Sequence, residues 1–430
     1  MQAVITISII TIVLMLICII KFPKIKIKNF SFETFWIVPL LSAIIILLFK
    51  LLPIDVAISG LTSSTGINPL KILVLFFSMT FLSVILDELG FFEVLANYAL
   101  KKVKQSQFAL FLILYALTSV LTVFTSNDII ILTFTPFIIF FSKRANISPI
   151  PYLVSEFIAA NTWSMMLIIG NPTNIYLASS CNIDFFEYIS KMFLPTMIAG
   201  GVSLGLLLLI FRKSLKKPIE VNIDNVSIKS KPLLIINLVC LSMCTILLSI
   251  SSYLPINIEM YLISLSFSII LLLSVFVYSL IKKDFMFLVN GFKRLPWTLL
   301  PFVLSMFIIV LSLKHHNVTL TMSNILSHGN HIFVYGIVST LMCNLINNIP
   351  ISVLFSEVVD SAITSEVYAS IIGTNIGAFV TPIGALAGIM WLSILKQNNV
   401  KFSFLTFTKY GVMLAIPTLI AALIGLSIVL

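Results

Sequence analysis

One carboxylate, Asp128, stands inside residues 121–137 (LTVFTSNDIIILTFTPF), a stretch with no other charge of either sign, and the next charge is Lys143. An ionisable side chain near the centre of a bilayer costs at least ~2.5 kcal/mol and persists where it faces a cavity, an ion or a counter-charge. The chemistry open to it there is reversible binding of a proton or a sodium ion. Ser126 and Asn127 beside it add a hydroxyl and an amide, ligands that cost less to bury than charges. Lys101, Lys102 and Lys104 precede the segment and Lys143 and Arg144 follow it, so both ends fall on one membrane face and the segment is a hairpin.

Three further polar breaks interrupt apolar runs. GNPTN at 170–174 supplies Asn171, Thr173 and Asn174; NNIP at 347–350 supplies Asn347 and Asn348; GTNIG at 373–377, followed by TPIG at 381–384, supplies Thr374, Asn375 and Thr381. Non-helical backbone at membrane depth is tolerated only where protein or a water-filled cavity satisfies it. Breaking a helix frees N–H groups on one half, which attract anions, and C=O groups on the other, which attract cations. A lone Asn or Pro in a membrane helix is more often a kink or an interhelical hydrogen bond than a ligand. Four breaks at corresponding places in two halves of one chain point instead to a substrate and ion site.

Other polar residues carry less. Asp87, Glu88 and Glu93 end one apolar run and begin an amphipathic turn, which suggests an interfacial or linker role; Glu156 is either cavity-facing or interfacial; Glu357, Asp360 and Glu366 belong near an outer mouth as solvated groups. His315, His316, His328 and His331 need only be surface residues, and Trp297 and Trp391 look like interface anchors. The five cysteines have neither metal spacing nor a disulfide framework; Cys240 and Cys244 share a helix face and read as small apolar filler rather than a soft-metal site. The carboxylate at the helical break lacks a His or a second Asp at a useful spacing, so no catalytic residue, metal site or cofactor is expected beyond a coupling ion, H⁺ or Na⁺.

The elements that position these residues follow from hydropathy. With 59% hydrophobic and 10% charged residues and a mean hydropathy of +1.14, the chain has too little polar surface for a soluble domain. Its net charge of +10 lies in short clusters between apolar runs, as membrane orientation requires and a nucleic-acid groove does not. Spans of ~20 apolar residues are expected near 2–20, 34–52, 71–86, 151–180, 187–211, 233–252, 259–281, 297–313, 366–395 and 405–429, with re-entrant hairpins at 105–142 and 331–362. The first run has no basic n-region and reads as a retained span. This threading puts 22 of the 26 Lys and Arg on one side, the cytoplasmic one, and leaves both termini extracytoplasmic. The expected fold is an all-α polytopic protein of the cell membrane, an inverted repeat in which each half has five transmembrane helices, one of them broken, and one re-entrant hairpin. Residues 1–211 and 233–430 are the halves and 212–232 is a cytoplasmic linker.

At these residues the sequence resembles the membrane subunit of bacterial arsenical pumps, within the superfamily that also holds sodium/proton antiporters and dicarboxylate and citrate transporters. The resemblance covers nearly the whole chain and rests on ILDELGFFE (85–93), TSNDIIILTFTPFI (125–138), LPWTLLPFVLSMFIIV (295–310), NNIP (347–350) and TPIGALAGIMWLSIL (381–395). It implies two re-entrant hairpins, broken helices and proton- or sodium-coupled transport, with Asp128 as the acidic residue of the first hairpin and Asn347 and Asn348 as the paired amides of the second. Proton-coupled efflux of arsenite or antimonite is the leading reading. GNPTN is closer to the superfamily's carboxylate and sodium members, so a sodium-coupled carboxylate or anion carrier, or a sodium/proton antiporter, is the alternative. The expected partners are the lipid bilayer, a small inorganic or organic ion, a second copy in a homodimer and a separate ATPase subunit for any ATP dependence, since no Walker A pattern is present. Single-cysteine labelling on a cysteine-free background is expected to reach positions 222 and 317 from opposite sides; labelling of both from one side removes the inverted repeat.

Overall fold

The computed structural model describes residues 1–22, 24–27, 30–62, 68–101, 106–217, 227–250, 258–360 and 363–430; part of the connection at 212–232, position 222 included, lies outside them. Apart from one two-stranded antiparallel ribbon, Lys24–Ile27 with Phe30–Glu33, the described residues form helices and their connections. The ribbon occupies the first basic connection, where only a loop was expected.

The first half runs α1 (Gln2–Lys21), α2 (Ile37–Leu48), α3 (Ile54–Thr62), α4 (Pro69–Glu88), α5 (Phe91–Lys101), α6 (Gln107–Phe124), α7 (Asn127–Arg144), α8 (Ile150–Trp163), α9 (Pro172–Ser180) and α10 (Phe185–Leu215). The second runs α11 (Lys231–Ile250), α12 (Met260–Lys282), α13 (Met286–Arg294), α14 (Leu299–His315), α15 (Val318–Leu326), α16 (His331–Ile346), α17 (Asn348–Phe355), α18 (Thr364–Gly377), α19 (Leu386–Gln397) and α20 (Phe404–Val429). Each half is therefore two apolar helices, a short helix, a third apolar helix, another short helix, a helical hairpin, a broken helix pair and a long closing helix. Packing follows the same order. α2 lies on α14 and α12 on α4; α6 lies on α8 and α16 on α18; α7 lies on α19 and α17 on α9; α10 and α20 pack on each other. Exchanging the halves turns each of these contacts into its counterpart.

Local chemistry starts the helices. Side chains of Asn68, Ser106, Asp184, Asn330 and Ser403 each accept the backbone N–H three residues on, capping α4, α6, α10, α16 and α20. Among the described residues seven helices are long and apolar enough to cross a membrane, Gln107–Phe124 of the first hairpin included. α2 has 12 residues, a length of ~18 Å at 1.5 Å per residue, so the expected span over 34–52 holds one short helix with turns on either side and ends before α3. Length cannot tell a hairpin arm from a span; the reversal at Ser126 does.

Both breaks differ from the expected positions. In the first half the helix stops at Trp163, passes through two short 3₁₀ turns, Ser164–Met166 and Ile168–Gly170, and restarts at Pro172, so Thr173 and Asn174 lie in the first turn of α9. In the second, GTNIG is helical to Gly377 and the break covers 378–385. Gly373 is there for packing: a Cβ on it would fall on Ser339 Oγ and the Gly336 carbonyl oxygen, where α16 crosses α18. Gly373→Ala is expected to lower stability by roughly 1–3 kcal/mol through overpacking, seen as a lower thermal midpoint in detergent; an unchanged midpoint would show that α16 and α18 can part without loss.

Candidate functional site

The four breaks meet in two kinds of place, distinguished by whether their polar groups are already used. Asn375, fully buried on α18, is saturated. Its Nδ2 donates to Asn174 Oδ1 (2.7 Å) and Ile371 O (2.8 Å), and its Oδ1 accepts from Asn171 Nδ2 (2.9 Å) and Ser164 Oγ (2.9 Å). Asn174 is saturated too: its Nδ2 donates to the carbonyls of Ser164 (2.8 Å) and Leu167 (3.0 Å), and its Oδ1 also accepts from Thr173 Oγ1 (3.4 Å). Asn171 caps α9 by accepting from Thr173 N (3.2 Å). An amide has two donors and two lone pairs, so this crossing of the halves is a clamp that pays for the broken backbone of α8–α9 and leaves Asn174 and Asn375 no capacity for a solute. Thr374 Oγ1 turns back on Ile371 O (3.0 Å) and faces no partner across the crossing.

The second hairpin tip is stitched in the same way. Asn347, at φ 87°, donates from Nδ2 to Ile383 O (3.0 Å), and Asn348 N donates to Gly384 O (2.9 Å). Asn344, which the sequence reading passed over, accepts from Thr381 N (3.0 Å) and Thr381 Oγ1 (2.7 Å) and donates to the carbonyls of Thr340 (2.9 Å) and Gly377 (3.1 Å). Thr381 is thereby committed to the fold, whereas the buried side chain of Asn348 makes no hydrogen bond among the described residues.

The first tip is different. Ser126 is extended and α7 begins at Asn127, whose Nδ2 donates to Asn161 Oδ1 (3.1 Å). Ser126 Oγ and Asn127 Oδ1 are buried with no hydrogen-bond partner among the described residues, a rare and costly condition. Asp128, half-buried in the first turn of α7, has neither a hydrogen bond nor an ion pair among them. The free N–H groups and partial positive charge of a helix start favour an anion there. Three adjacent side chains with unused capacity thus sit at one tip. Asn161, also missed, was detectable as a buried amide in an apolar run five residues after Glu156.

Leu132, one turn after Asp128 on α7, lines a cavity of about 510 Å³ together with Pro136 and Phe140, and Asp128 itself lies outside that lining. The cavity's rim holds Asp87, Glu88, Glu93, Lys229 and Arg294. Arg294 bonds Asp87 (2.5 Å) and Glu88 (2.7 Å), and Asn290 Nδ2 donates to Glu88 (3.1 Å), so α4 is locked to α13. Asp87 and Glu88 are ion-pair partners at a cavity mouth rather than linker residues.

Several weaker expectations change. Glu366 is buried, not solvated: it bonds His331 Nδ1 (2.6 Å) and accepts from Asp360 N (2.8 Å). Glu357 is nearly buried and pairs with Lys314 (2.6 Å). Trp391 is buried and donates to Glu156 (3.2 Å), so it is no interface anchor, whereas Trp297 is half-exposed. Cys240 and Cys244 are buried among apolar side chains, with Cys244 Sγ 3.7 Å from Met79 Sδ.

The profile of the citrate transporter family matches residues 30–370. The chain belongs to that family. Its relatives include the arsenical pump membrane proteins of Yersinia enterocolitica, 26% identical over 379 residues, and of Escherichia coli K12, 27% identical over 384 residues, each alignment covering 82% of this chain and 85% of the relative. The fold is similar to that of the Alcanivorax borkumensis YdaH transporter, with a TM-score of 0.58 at 12% identity over 99% of this chain and 96% of that one. This citrate transporter family member is a polytopic membrane protein and a secondary transporter of the arsenical pump type, not an enzyme.

Asn375→Ala strands Asn171 Nδ2 and leaves Asn174 Oδ1 only the longer bond from Thr173 (3.4 Å), while Ser164 Oγ keeps its bond to Asn161 O (3.0 Å). At ~1–3 kcal/mol for each buried group left unpaired, folded yield in detergent is expected to collapse; a stable, monodisperse Asn375→Ala protein would show that the crossing is not a structural clamp.

Proposed function

We propose that this chain exports arsenite or antimonite in exchange for protons, with Asp128 as the coupling carboxylate. The observation that carries this reading is the tip of the first hairpin, where an unpaired carboxylate lies beside two unsatisfied polar atoms, Ser126 Oγ and Asn127 Oδ1, one helical turn before Leu132 at the cavity wall. A membrane-buried carboxylate without a protein partner is a site for a transported or coupling cation. Ser126, Asn127 and Asn348 then contact the solute, while Asn171, Thr173, Asn174, Asn347, Thr374, Asn375 and Thr381 hold the backbone that shapes the site.

Electrostatics favour a neutral or singly charged oxygen-rich solute. At the cavity, Asp87, Glu88 and Glu93 outnumber Lys229 and Arg294, and Arg294 is already paired twice. Half-helix N-termini contribute only ~0.5 charge each and up to ~2 kcal/mol in partly buried geometries, too little to neutralise a tricarboxylate. Neutral arsenous acid needs no such compensation. The arsenical pump relatives support the same substrate class.

The proposal includes the inverted relation of residues 1–211 and 233–430, a cytoplasmic 212–232 and extracytoplasmic termini, supported by the basic-residue asymmetry and by the exchangeable contacts between halves. The cavity, beside Lys229 and Arg294, then opens to the cytoplasm. Any ATP dependence is assigned to a separate ATPase subunit, and a homodimer is the assembly expected in the bilayer. Asp128→Asn is expected to fold normally, because it keeps size and hydrogen bonding while removing an uncompensated charge, and to lose at least ten-fold in proton-driven arsenite uptake by inside-out vesicles. Full activity in that variant with unchanged pH dependence, or citrate carried with sodium while arsenite is ignored, overturns this reading.

A further inference from the structure

A second carboxylate lies inside the apolar body, and nothing in the transport scheme above uses it. Glu156 on α8 is 2% exposed. Thr135 Oγ1 of α7 is 3.1 Å from Oε1 and 3.3 Å from Oε2, and Trp391 Nε1 of α19 donates to Oε2 at 3.2 Å. Three elements that meet at the junction of the first hairpin with the other half's broken helix thus share one ionisable group. Phe157, Phe402 and Phe407 surround the indole with ring centroids 5.2–5.5 Å away, which keeps water from that side.

Among the described residues no Lys, Arg or His makes an ion pair with Glu156. Asp128 is seven residues before Thr135 on α7, ~10 Å along the axis. Tyr152, one turn earlier on α8, gives its hydroxyl to Gln107 of α6 (3.0 Å). On α19 the ionisable neighbour of Trp391 is Lys396, near the helix end; on α20 they are Lys409, which is exposed, and Tyr410, which stacks on Phe402. α10 and α18, also packed against α8, send no ionisable side chain into hydrogen-bond reach of Glu156. A carboxylate buried in this way must carry a proton or draw a cation or water to itself.

The cage decides between those. A sodium ion needs several oxygen ligands, but an indole N–H only donates, and it occupies Oε2. Thr135 both donates and accepts. It can bond the carboxylate as donor and the protonated carboxyl as acceptor, while Trp391 keeps its bond to Oε2 in either state. The cage therefore suits a carboxyl group that gains and loses a proton.

We propose that Glu156 is a second proton-binding site of this carrier, separate from the first hairpin tip and built by Thr135 and Trp391. Proton release leaves a charge between α7 and α19 that the present packing does not balance, so the protonation state biases how the hairpin seats on the other half. The idea of a role in coupling rests on the transport reading; the binding of the proton does not.

Replacing Trp36, Trp163 and Trp297 by Phe leaves Trp391 as the reporter, and its emission is measured between about pH 4 and 9, a range that covers ordinary and perturbed carboxyl groups. The expected result is one titration that persists in Asp128→Asn, is absent in Glu156→Gln and has a moved midpoint in Glu156→Asp. Emission that is flat with pH, or a titration unchanged in both Glu156 variants, overturns the proposal; the Asp variant, which keeps the carboxylate, decides if the Gln variant does not fold. In vesicles Glu156→Gln is expected to keep arsenite exchange at equal pH and to lose at least ten-fold in uptake driven by a pH gradient, whereas wild-type gradient-driven uptake in that variant overturns the coupling role. A Glu156 titration in a protein that carries no arsenite would uphold the proton site and bring down the substrate assignment instead.

Discussion

The structure depends on one constraint, that backbone interrupted inside an apolar body must find all its hydrogen-bond partners within the protein. Asn375 meets it for the first half's break from a helix of the second half, using both donors and both lone pairs. Asn174 reaches back to two carbonyls freed at that break. Asn344 does the equivalent for the second break from its own hairpin. Each bond nets only ~1 kcal/mol, but each one missing leaves a buried group costing ~1–3 kcal/mol, so such a network is stable only when complete. The rigidity of the crossing is what lets a hairpin tip beside it keep unused polar groups.

The halves share an architecture and divide the chemistry. Asn161 and Asn375 are each the twelfth residue of α8 and α18, and each donates to the carbonyl four residues back. The seventh residues are Glu156 and Ser370, and the second residues of α7 and α17 are Asp128 and Ile349. The first half thus places carboxylates where the second places a hydroxyl and a branched alkyl group. At these matched positions the first half is charged and the second is not, while the second half's own ionisable pair, His331 and Glu366, lies at the starts of α16 and α18.

The Arg294 pairs with Asp87 and Glu88 and the His331 pair with Glu366 tie helices through part-exposed cations and largely buried carboxylates. Their value is in holding α4 to α13 and α16 to α18 beside the cavity mouth and the second hairpin while leaving both contacts sensitive to solvent.

Sequence alone determined the membrane class, nearly all the apolar elements and the polar turns of the two helical hairpins, though not where the helices break, because each is written locally: hydropathy over ~20 residues, a cap residue before a helix, a Gly, Pro or Asn at a turn. Asp128 was legible for the same reason, as one charge in an apolar run has few explanations. What only the tertiary structure decided is which polar residues are spent. Asn174 and Asn375 look like ligands in sequence and are saturated in space, by partners 201 to 211 residues apart. Glu366 and Trp391 looked peripheral, Glu156 stood between a cavity and the interface, and all three are buried in hydrogen bonds. Hydrogen-bond capacity is a property of the side chain, but its satisfaction belongs to the pair, and the pair exists only once the halves have packed.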